Sequence, residues 1–249
     1  MLAPSENKIN RGVLAPGGRK SHNLIMRASQ RPRVKICCIS NADEARMAID
    51  HGAAALGLVS AMPSGPGVIS EEQIAEIAAT VPPPIATFLL TALQDVESVI
   101  AQQRRCRTNT LQLVDRLIQG SYEDLRRELP GISIVQVIHV TGEESIEEAV
   151  AVAAHVDAIL LDSGNPKLAI KELGGTGRKH NWNLSRQIRE RIEIPLFLAG
   201  GVRAENVREA VQEVGPFGID ICTGVRREGK LDAGELRALF ANLTCTNVA

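Results

Sequence analysis

Apolar and polar residues follow a repeating order along the chain from residue 33 onward. Short runs rich in Val, Ile and Leu, typical of buried parallel strands, alternate with longer charged segments whose apolar residues have helical spacing. The apolar runs predict strands at 34–39, 55–59, 85–90, 109–114, 132–138, 157–162, 195–199 and 218–222. The charged segments predict helices at 42–51, 71–80, 94–105, 121–129, 144–155, 183–191, 203–213 and 232–242. Strict alternation of these elements predicts a single (β/α)8 TIM barrel, with an open doubly wound sheet as the second choice because such sheets usually have fewer strands.

Two of the predicted helices begin with recognisable capping residues. Asn41 or Ser40 can cap the first helix with a side-chain oxygen. Ser70 precedes the second helix, and Gln73 stands three residues later, which is the spacing of a capping box. Both patterns support the predicted helix starts.

The first 32 residues lack this order. They are basic, with Glu6 as their single acidic residue, and they contain turn-forming residues without periodicity. They vaguely resemble a transit peptide, but a plain flexible tail is the simpler interpretation. We therefore predict a flexible basic extension at 1–32 and one barrel domain at 33–249.

Composition narrows the class of protein. Hydrophobic residues make up 44% of the chain and aromatic residues 2%, so branched aliphatic side chains must fill the core. The formal net charge of −1 lacks the basic surplus of a nucleic-acid-binding protein. The five cysteines are irregularly spaced and give no indication of a metal site. No apolar run approaches the roughly 18 residues of a membrane span, so we expect a cytoplasmic protein without nucleic-acid or membrane partners.

Glycines and an aspartate gather at the predicted carboxyl ends of the last three strands. Barrel enzymes place their active sites at this end and often bind phosphate in the loops after strands 7 and 8. Glycine lets backbone amides approach an anion closely. The glycines that suggest a phosphate site are Gly174, Gly175, Gly177, Gly200, Gly201 and Gly224. Asp162 ends the apolar run "AILLD", where burial would raise its pKa as a general acid requires, or where it could cap the loop through hydrogen bonds.

Two adjacent cysteines end the first predicted strand. Side chains alternate along a strand, and Lys35 should avoid the helix layer, so Lys35 and Cys37 are predicted to face the barrel interior. Cys38 is then predicted to face the helices in apolar company. Cys37 is therefore the candidate reactive thiol, with the Lys35 ammonium favouring its thiolate, unless it is only a small buried apolar residue.

An ordered set of motifs resembles one enzyme family. The segments "KICCIS", "ALGLV", "LQLVD", "LLDS", "GGTG", "LAGGVRAENV" and "GIDICTGV", together with Trp182, are similar to phosphoribosylanthranilate isomerase over about residues 33–243. The resemblance implies a barrel that uses no cofactor or metal and catalyses an Amadori rearrangement, from aminoaldose to aminoketose, in tryptophan biosynthesis. It also implies Cys37 as the general base and Asp162 as the general acid. The substrate phosphate is then expected on amides near Gly175, Gly177, Gly201 and Gly224.

Several positions depart from the family's pattern. Cys38 stands where the family has glycine, and Val114 stands where it has histidine. Gly67 stands where the family has the arginine that binds the anthranilate part. Cys222 and Thr223 replace a pair of serines. The expected contact with the aromatic carboxylate is therefore missing from its usual place.

Further substrate contacts and two other functions follow from these departures. The remaining candidate substrate-binding residues are Gln112, Thr223 and Arg178. The arginines that could replace the missing one are Arg178, Arg203 and Arg226. His139 and Lys167 lie at the predicted mouth and could bind a different substituent. A paralogous enzyme acting on another phosphosugar amine, and a non-catalytic phosphosugar-binding barrel, stay open as alternatives. In each case a phosphorylated small molecule is the expected partner of a monomer or homodimer.

Overall fold

Eight strands and eight helices alternate in the computed structural model, which describes residues 31–166, 168, 170–175 and 177–244. The strands are β1 (Arg33–Ile36), β2 (Ala55–Val59), β3 (Ala86–Thr91), β4 (Thr110–Leu113), β5 (Ser133–His139), β6 (Ala158–Asp162), β7 (Leu196–Leu198) and β8 (Gly218–Ile221). The helices are α1 (Ala42–Asp50), α2 (Glu71–Thr80), α3 (Val96–Cys106), α4 (Tyr122–Glu128), α5 (Glu144–Ala153), α6 (Trp182–Arg191), α7 (Val207–Val214) and α8 (Ala233–Thr244). Each strand pairs with its neighbour in chain order, and β8 closes on β1 in parallel. The predicted (β/α)8 barrel is confirmed, whereas nearly all of the predicted extension and Lys167 lie outside the described residues.

Two apolar layers hold the barrel together. Outward-facing strand residues such as Ile36, Leu56 and Leu89 are fully buried against the helices. Inward-facing residues form a separate cluster inside the barrel. There the Phe88 and Phe197 rings pack edge to face with centroids 5.9 Å apart. These rings fill part of the barrel interior.

Helix starts agree with the capping patterns in two cases and differ in a third. Asn41 accepts a hydrogen bond from the Glu44 amide at 2.9 Å, and Ser70 with Gln73 forms the predicted capping box. Helix α7 begins at Val207 and not near residue 203 as predicted. The Asn206 side chain accepts from the Arg203 amide and donates to the Gly201 carbonyl, so residues 203–206 form a turn that closes the preceding glycine loop.

A short hairpin after β8, which the sequence did not predict, carries a buried ion pair. Its strands are β9 (Arg226–Arg227) and β10 (Lys230–Leu231). The Arg226 guanidinium donates to both carboxylate oxygens of Glu44 on α1, at 3.0 and 3.2 Å, and to the Cys38 carbonyl. Burial alone would raise the pKa of Glu44, but hydrogen bonds from Arg226, Leu231 and Ser40 outweigh it and hold the pKa below its usual value. Arg226 therefore joins the last and first units of the barrel.

Arg226→Leu is expected to lower the free energy of unfolding by about 3–5 kcal/mol at neutral pH, because it leaves the Glu44 carboxylate buried without its partner. Arg227→Leu is the matched control, since Arg227 pairs with Glu235 at the surface and such pairs contribute about 0–1 kcal/mol. Urea unfolding followed by circular dichroism measures both. As the pH falls through the lowered pKa of Glu44, the carboxylate is protonated, and the two variants should converge. Equal losses of unfolding free energy in the two variants at neutral pH would contradict the assignment of Arg226 and Glu44 as a buried ion pair.

Within the described part of the chain, no helix combines the length and the apolar character needed to cross a lipid bilayer.

Candidate active site

A cavity opens at the carboxyl ends of the barrel strands. It holds about 680 Å³ of space, part of it open to solvent. Its wall is formed by Cys37, Cys38, Val59, Met62, Ser64, Gly65, Pro66, Leu90, Gln112, Val114, Leu160, Asp162, Leu173, Gly174, Gly175, Gly177, Ala199, Gly200, Gly201, Val202, Asp220, Ile221, Cys222 and Thr223. Residues from seven of the strands and their loops thus meet here, at the end where the sequence analysis predicts the site.

Cys37 and a buried ion pair lie on the β1–β8 side of the cavity. The Cys37 amide donates to the Ile221 carbonyl at 2.8 Å, which continues the pairing of β1 with β8. Beneath it, the Lys35 ammonium lies 2.9 Å from the Asp220 carboxylate. Burial lowers the pKa of Lys35, but the attraction of Asp220 and of the nearby thiols outweighs it, so the pKa is raised above its ordinary value. Lys35 is therefore a permanent positive charge beside Cys37.

Gly57 on β2 leaves space for the side chains of Cys37 and Lys35. A Cβ at this position would lie 2.7 Å from Cys37 Sγ and 3.1 Å from Lys35 Nζ. The two side chains thus converge on one point inside the barrel, in agreement with the predicted strand faces. A side chain at residue 57 would displace the thiol.

Cys38 does not face the helices, and that prediction is wrong. β1 ends at Ile36, and the Cys38 backbone has a φ of 63°, in the left-handed region, so the alternation of a strand no longer applies. Its side chain packs in the interior cluster and lines the cavity. A Cβ on Gly67 would overlap the Cβ of Cys38. The Cys38 side chain therefore occupies the space that a side chain at residue 67 would need, and the two departures from the family's pattern are linked.

Asp162 faces the cavity from β6, on the side away from β1. Burial raises its pKa, and the negative charge of Asp220 adds to the shift, while a 2.7 Å hydrogen bond from the Ser163 amide and the proximity of His139 and Lys35 oppose it. A Cβ on Gly174 would lie 2.8 Å from Asp162 Oδ2, so the loop after β6 passes directly over the carboxyl group. The carboxyl group is thus held in a largely dry position that favours its protonated form.

His139 is the cross-strand neighbour of Asp162, since the two residues are in register on β5 and β6. Its Nε2 lies 2.9 Å from the Val114 carbonyl, and its Nδ1 is buried with no hydrogen-bond partner among the described residues. The sequence placed His139 at the mouth, but the structure buries it. It does not line the cavity and contacts the site through Asp162.

The predicted glycine loops border the cavity, with one exception. Gly174, Gly175, Gly177, Gly200 and Gly201 all line it, as does Thr223. Gly201 has a φ of 68°, and a Cβ there would lie 2.8 Å from the backbone of Arg178 and Lys179. Gly224 is not in the wall, because it packs against the Val202 carbonyl behind it.

The remaining predicted contacts divide into two groups. Gln112 lines the cavity, and its buried Oε1 has no partner in the described structure, so it is free to accept from a ligand hydroxyl. Arg178 lies outside the cavity and pairs with Glu172. Arg226 is held by Glu44, and exposed Arg203 does not line the wall. None of these arginines, as placed, replaces the one expected at residue 67.

Sequence reasoning missed Asp220 and Cys222 as residues of the site. Asp220 gave a signal, because an aspartate inside the apolar run "GIDIC" resembles Asp162 at the end of "AILLD". Cys222 gave a weaker one as the residue after β8. Among the described residues, no group of three His, Cys, Asp or Glu side chains could hold a metal ion.

Comparisons with known proteins agree on one family. The family model of N-(5'-phosphoribosyl)anthranilate (PRA) isomerase matches residues 34–242. The N-(5'-phosphoribosyl)anthranilate isomerase of Thermosynechococcus vestitus is 33% identical over 211 residues, which are 84% of this chain and 89% of that protein. The crystal structure of the phosphoribosyl anthranilate isomerase of Thermotoga maritima superposes with a TM-score of 0.71 at 29% identity, over 86% of this chain and 98% of that one. A further structure of such an isomerase, in complex with reduced 1-(o-carboxyphenylamino)-1-deoxyribulose 5-phosphate, gives 0.69 at 27%, with the same shares covered.

Proposed function

Since this chain belongs to the N-(5'-phosphoribosyl)anthranilate isomerase family, we propose that its cavity isomerises the phosphoribosylated amine with Asp162 as general acid and Cys37 as general base. The chain is an aldose–ketose isomerase of tryptophan biosynthesis. The observation that supports these roles is that Cys37 and Asp162 line one cavity from β1 and β6, beneath the glycine loops. Of the functions left open by the sequence, family membership favours this one over a paralogue or a non-catalytic barrel.

The first step needs an acid in a dry position. Asp162 donates its proton to the ring oxygen of the ribose, and the C1–O bond breaks to give an open-chain iminium ion. A carboxyl group can do this near neutral pH only if its pKa is raised, and burial raises that of Asp162. The backbone amide of Ser163 then stabilises the carboxylate that forms.

The second step needs a base opposite the acid. The Cys37 thiolate removes the proton from C2 of the iminium ion, and the resulting enolamine tautomerises to the ketone. The buried Lys35 ammonium places a positive charge beside the Cys37 sulfur. Its partner Asp220 keeps Lys35 charged and in place, so we assign both as positioning residues for Cys37.

Turnover of the substrate tests the function. Incubation with N-(5'-phosphoribosyl)anthranilate is expected to give a steady loss of anthranilate-type fluorescence, at a rate proportional to enzyme concentration. Asp162→Asn prepared in the same way is the control for contaminating host isomerase. No turnover above this control at high enzyme concentration would contradict the proposed function.

The phosphate is proposed to bind on the loops after β7 and β8. Gly201→Ala is expected to weaken the binding of inorganic phosphate by at least about tenfold, because its Cβ pushes on the backbone at 178–179 and moves the loop amides. Calorimetry, or competitive inhibition by phosphate, measures this affinity. Gly215→Ala is the matched control: its φ of 63° is similar to that of Gly201, but nothing lies within 4 Å of its Cβ. Both variants should lose similar stability through left-handed strain. Equal phosphate affinity in the two would contradict the site.

A further inference from the structure

Three cysteines lie side by side on one wall of the cavity. Cys37, Cys38 and Cys222 all line it, and their strands are neighbours in the barrel. β1 and β8 are in register up to Ile36 and Ile221, so the residues that follow them are adjacent. The Cys38 thiol is placed to interact with the thiols of both Cys222 and Cys37. The proposed reaction uses Cys37 and leaves the other two thiols without a role.

Cys38 keeps a side chain although its backbone has a conformation that favours glycine. A φ of 63° places it in the left-handed region, which strains an L-residue but not glycine. This conformation turns the thiol into the cavity, away from the helix layer that a regular strand would give it. Gly67 leaves the space that Cys38 fills. A strained, cavity-facing cysteine with space made for it is thus built into the site.

Cys222 has the surroundings of a reactive thiol. The hydrogen bond from Cys38 lowers the pKa of Cys222, burial opposes this, and the charge of Arg226 adds to the lowering. Cys222 is also partly exposed, whereas Cys37 and Cys38 are buried. Low-pKa thiols that solvent can reach, with a second thiol beside them, are the ones that peroxides oxidise selectively.

We propose that Cys222 and Cys38 are a peroxide-sensitive dithiol that hydrogen peroxide converts into a reversible disulfide across the wall of the cavity. The Cys222 sulfur attacks one peroxide oxygen, the O–O bond breaks, and the hydroxide that leaves takes up a proton to become water. Cys222 loses two electrons and becomes a sulfenic acid, while the peroxide is reduced.

The second step closes the disulfide. The Cys38 sulfur attacks the Cys222 sulfur, the S–O bond breaks, and the hydroxyl group leaves as water with the Cys38 thiol proton. Oxidation of Cys222 removes its interaction with the Cys38 thiol, which is the first cause of the raised pKa of Cys38. Because the new bond lies on the wall that carries Cys37, it changes the shape of the cavity beside the general base.

Mass spectrometry of the full chain tests the proposal without using the isomerase reaction. The reduced protein is treated with hydrogen peroxide, its remaining thiols are alkylated, and it is digested with trypsin. We expect the peptide with Cys37 and Cys38 to be joined to the peptide with Cys222, with the loss of two hydrogen atoms, and to be released by dithiothreitol. Cys106, which is fully buried and away from the cavity, should stay reduced as an internal control.

Two variants identify which thiol is joined. Cys37→Ser should keep the cross-link, whereas Cys38→Gly should lose it and leave Cys222 as a sulfenic acid that dimedone traps. Glycine suits the φ of residue 38, and circular dichroism checks that the variant is folded. A cross-link that survives in Cys38→Gly, a bond between Cys37 and Cys38, or a Cys222 that stays reduced would each overturn the proposal.

Discussion

Asp162→Asn is expected to lower kcat/KM for N-(5'-phosphoribosyl)anthranilate by about 10²–10⁴-fold, the share of rate that a positioned general acid supplies. The amide keeps the size and most of the contacts of the carboxyl group, including the acceptor for the Ser163 amide, but it has no proton of suitable acidity to give. The loss should appear mainly in kcat, because opening of the sugar ring, and not binding of the phosphate, requires the acid.

The pH profile separates this role from a structural one. Burial raises the pKa of Asp162, so the protonated form, which is the active one, persists to a higher pH than in an ordinary carboxyl group. As the pH rises through this raised pKa, kcat/KM should fall. The Asp162→Asn variant should lack this fall. Asp115→Asn is the control, since Asp115 is a buried carboxylate just after β4 that pairs with Lys171 outside the cavity. If Asp115→Asn loses as much rate as Asp162→Asn, the acid is wrongly assigned.

Cys37→Ser is expected to lower kcat by a similar factor of about 10²–10⁴, because a hydroxyl group is far less acidic than a thiol and provides almost no anion to remove the C2 proton. Inorganic phosphate should still bind with nearly the affinity of the unchanged protein, since the glycine loops lie on other strands. Stopped assays of kcat together with calorimetry of phosphate binding measure the two effects separately.

The neighbouring thiols provide the controls for Cys37. Cys38→Gly and Cys222→Ser should each lower kcat far less than Cys37→Ser, because neither thiol is assigned a proton transfer in the reaction. Because Cys222 is partly exposed, thiol alkylation should confirm that it is unmodified, so that a loss of activity is not caused by an altered side chain. A larger loss in Cys222→Ser than in Cys37→Ser would move the base to β8.

The barrel could be predicted because its signal is repeated and local. Buried parallel strands must be apolar on both faces, and this requirement produced runs such as "ALGLV" that match the observed strand at 55–59. Asp162 was also visible as a candidate acid because it ends such an apolar run, and the alternative of a loop cap is visible in its hydrogen bond from the Ser163 amide. The predicted ends of strands and helices differ from the observed ends by one to four residues. At the start of α7 the difference arises because side-chain hydrogen bonds fix a turn at 203–206, and the periodicity of the sequence does not show such bonds.

The prediction for Cys38 failed for a physical reason that the sequence hides. Alternation of faces holds only while the backbone is extended, and this strand ends two residues before Cys38, which then turns into the left-handed region. Asp220 was missed because its partner, Lys35, lies far away in the chain and only the pairing of β1 with β8 brings them together. Contacts that depend on barrel closure are the part of the site that local patterns cannot show.

The hydrogen bonds of Arg226 also constrain when the site can form during protein synthesis. The carbonyl of Cys37 accepts a hydrogen bond from Arg226, which lies 189 positions further along the chain. Glu44 on α1 pairs with the same arginine. The ribosome therefore makes the proposed general base well before the group that fixes its backbone. A nascent chain in which the β9–β10 hairpin has not yet been made would carry Cys37 and Asp162 without the arginine that links the first and last units of the barrel, so isomerisation should begin only after that hairpin has been made.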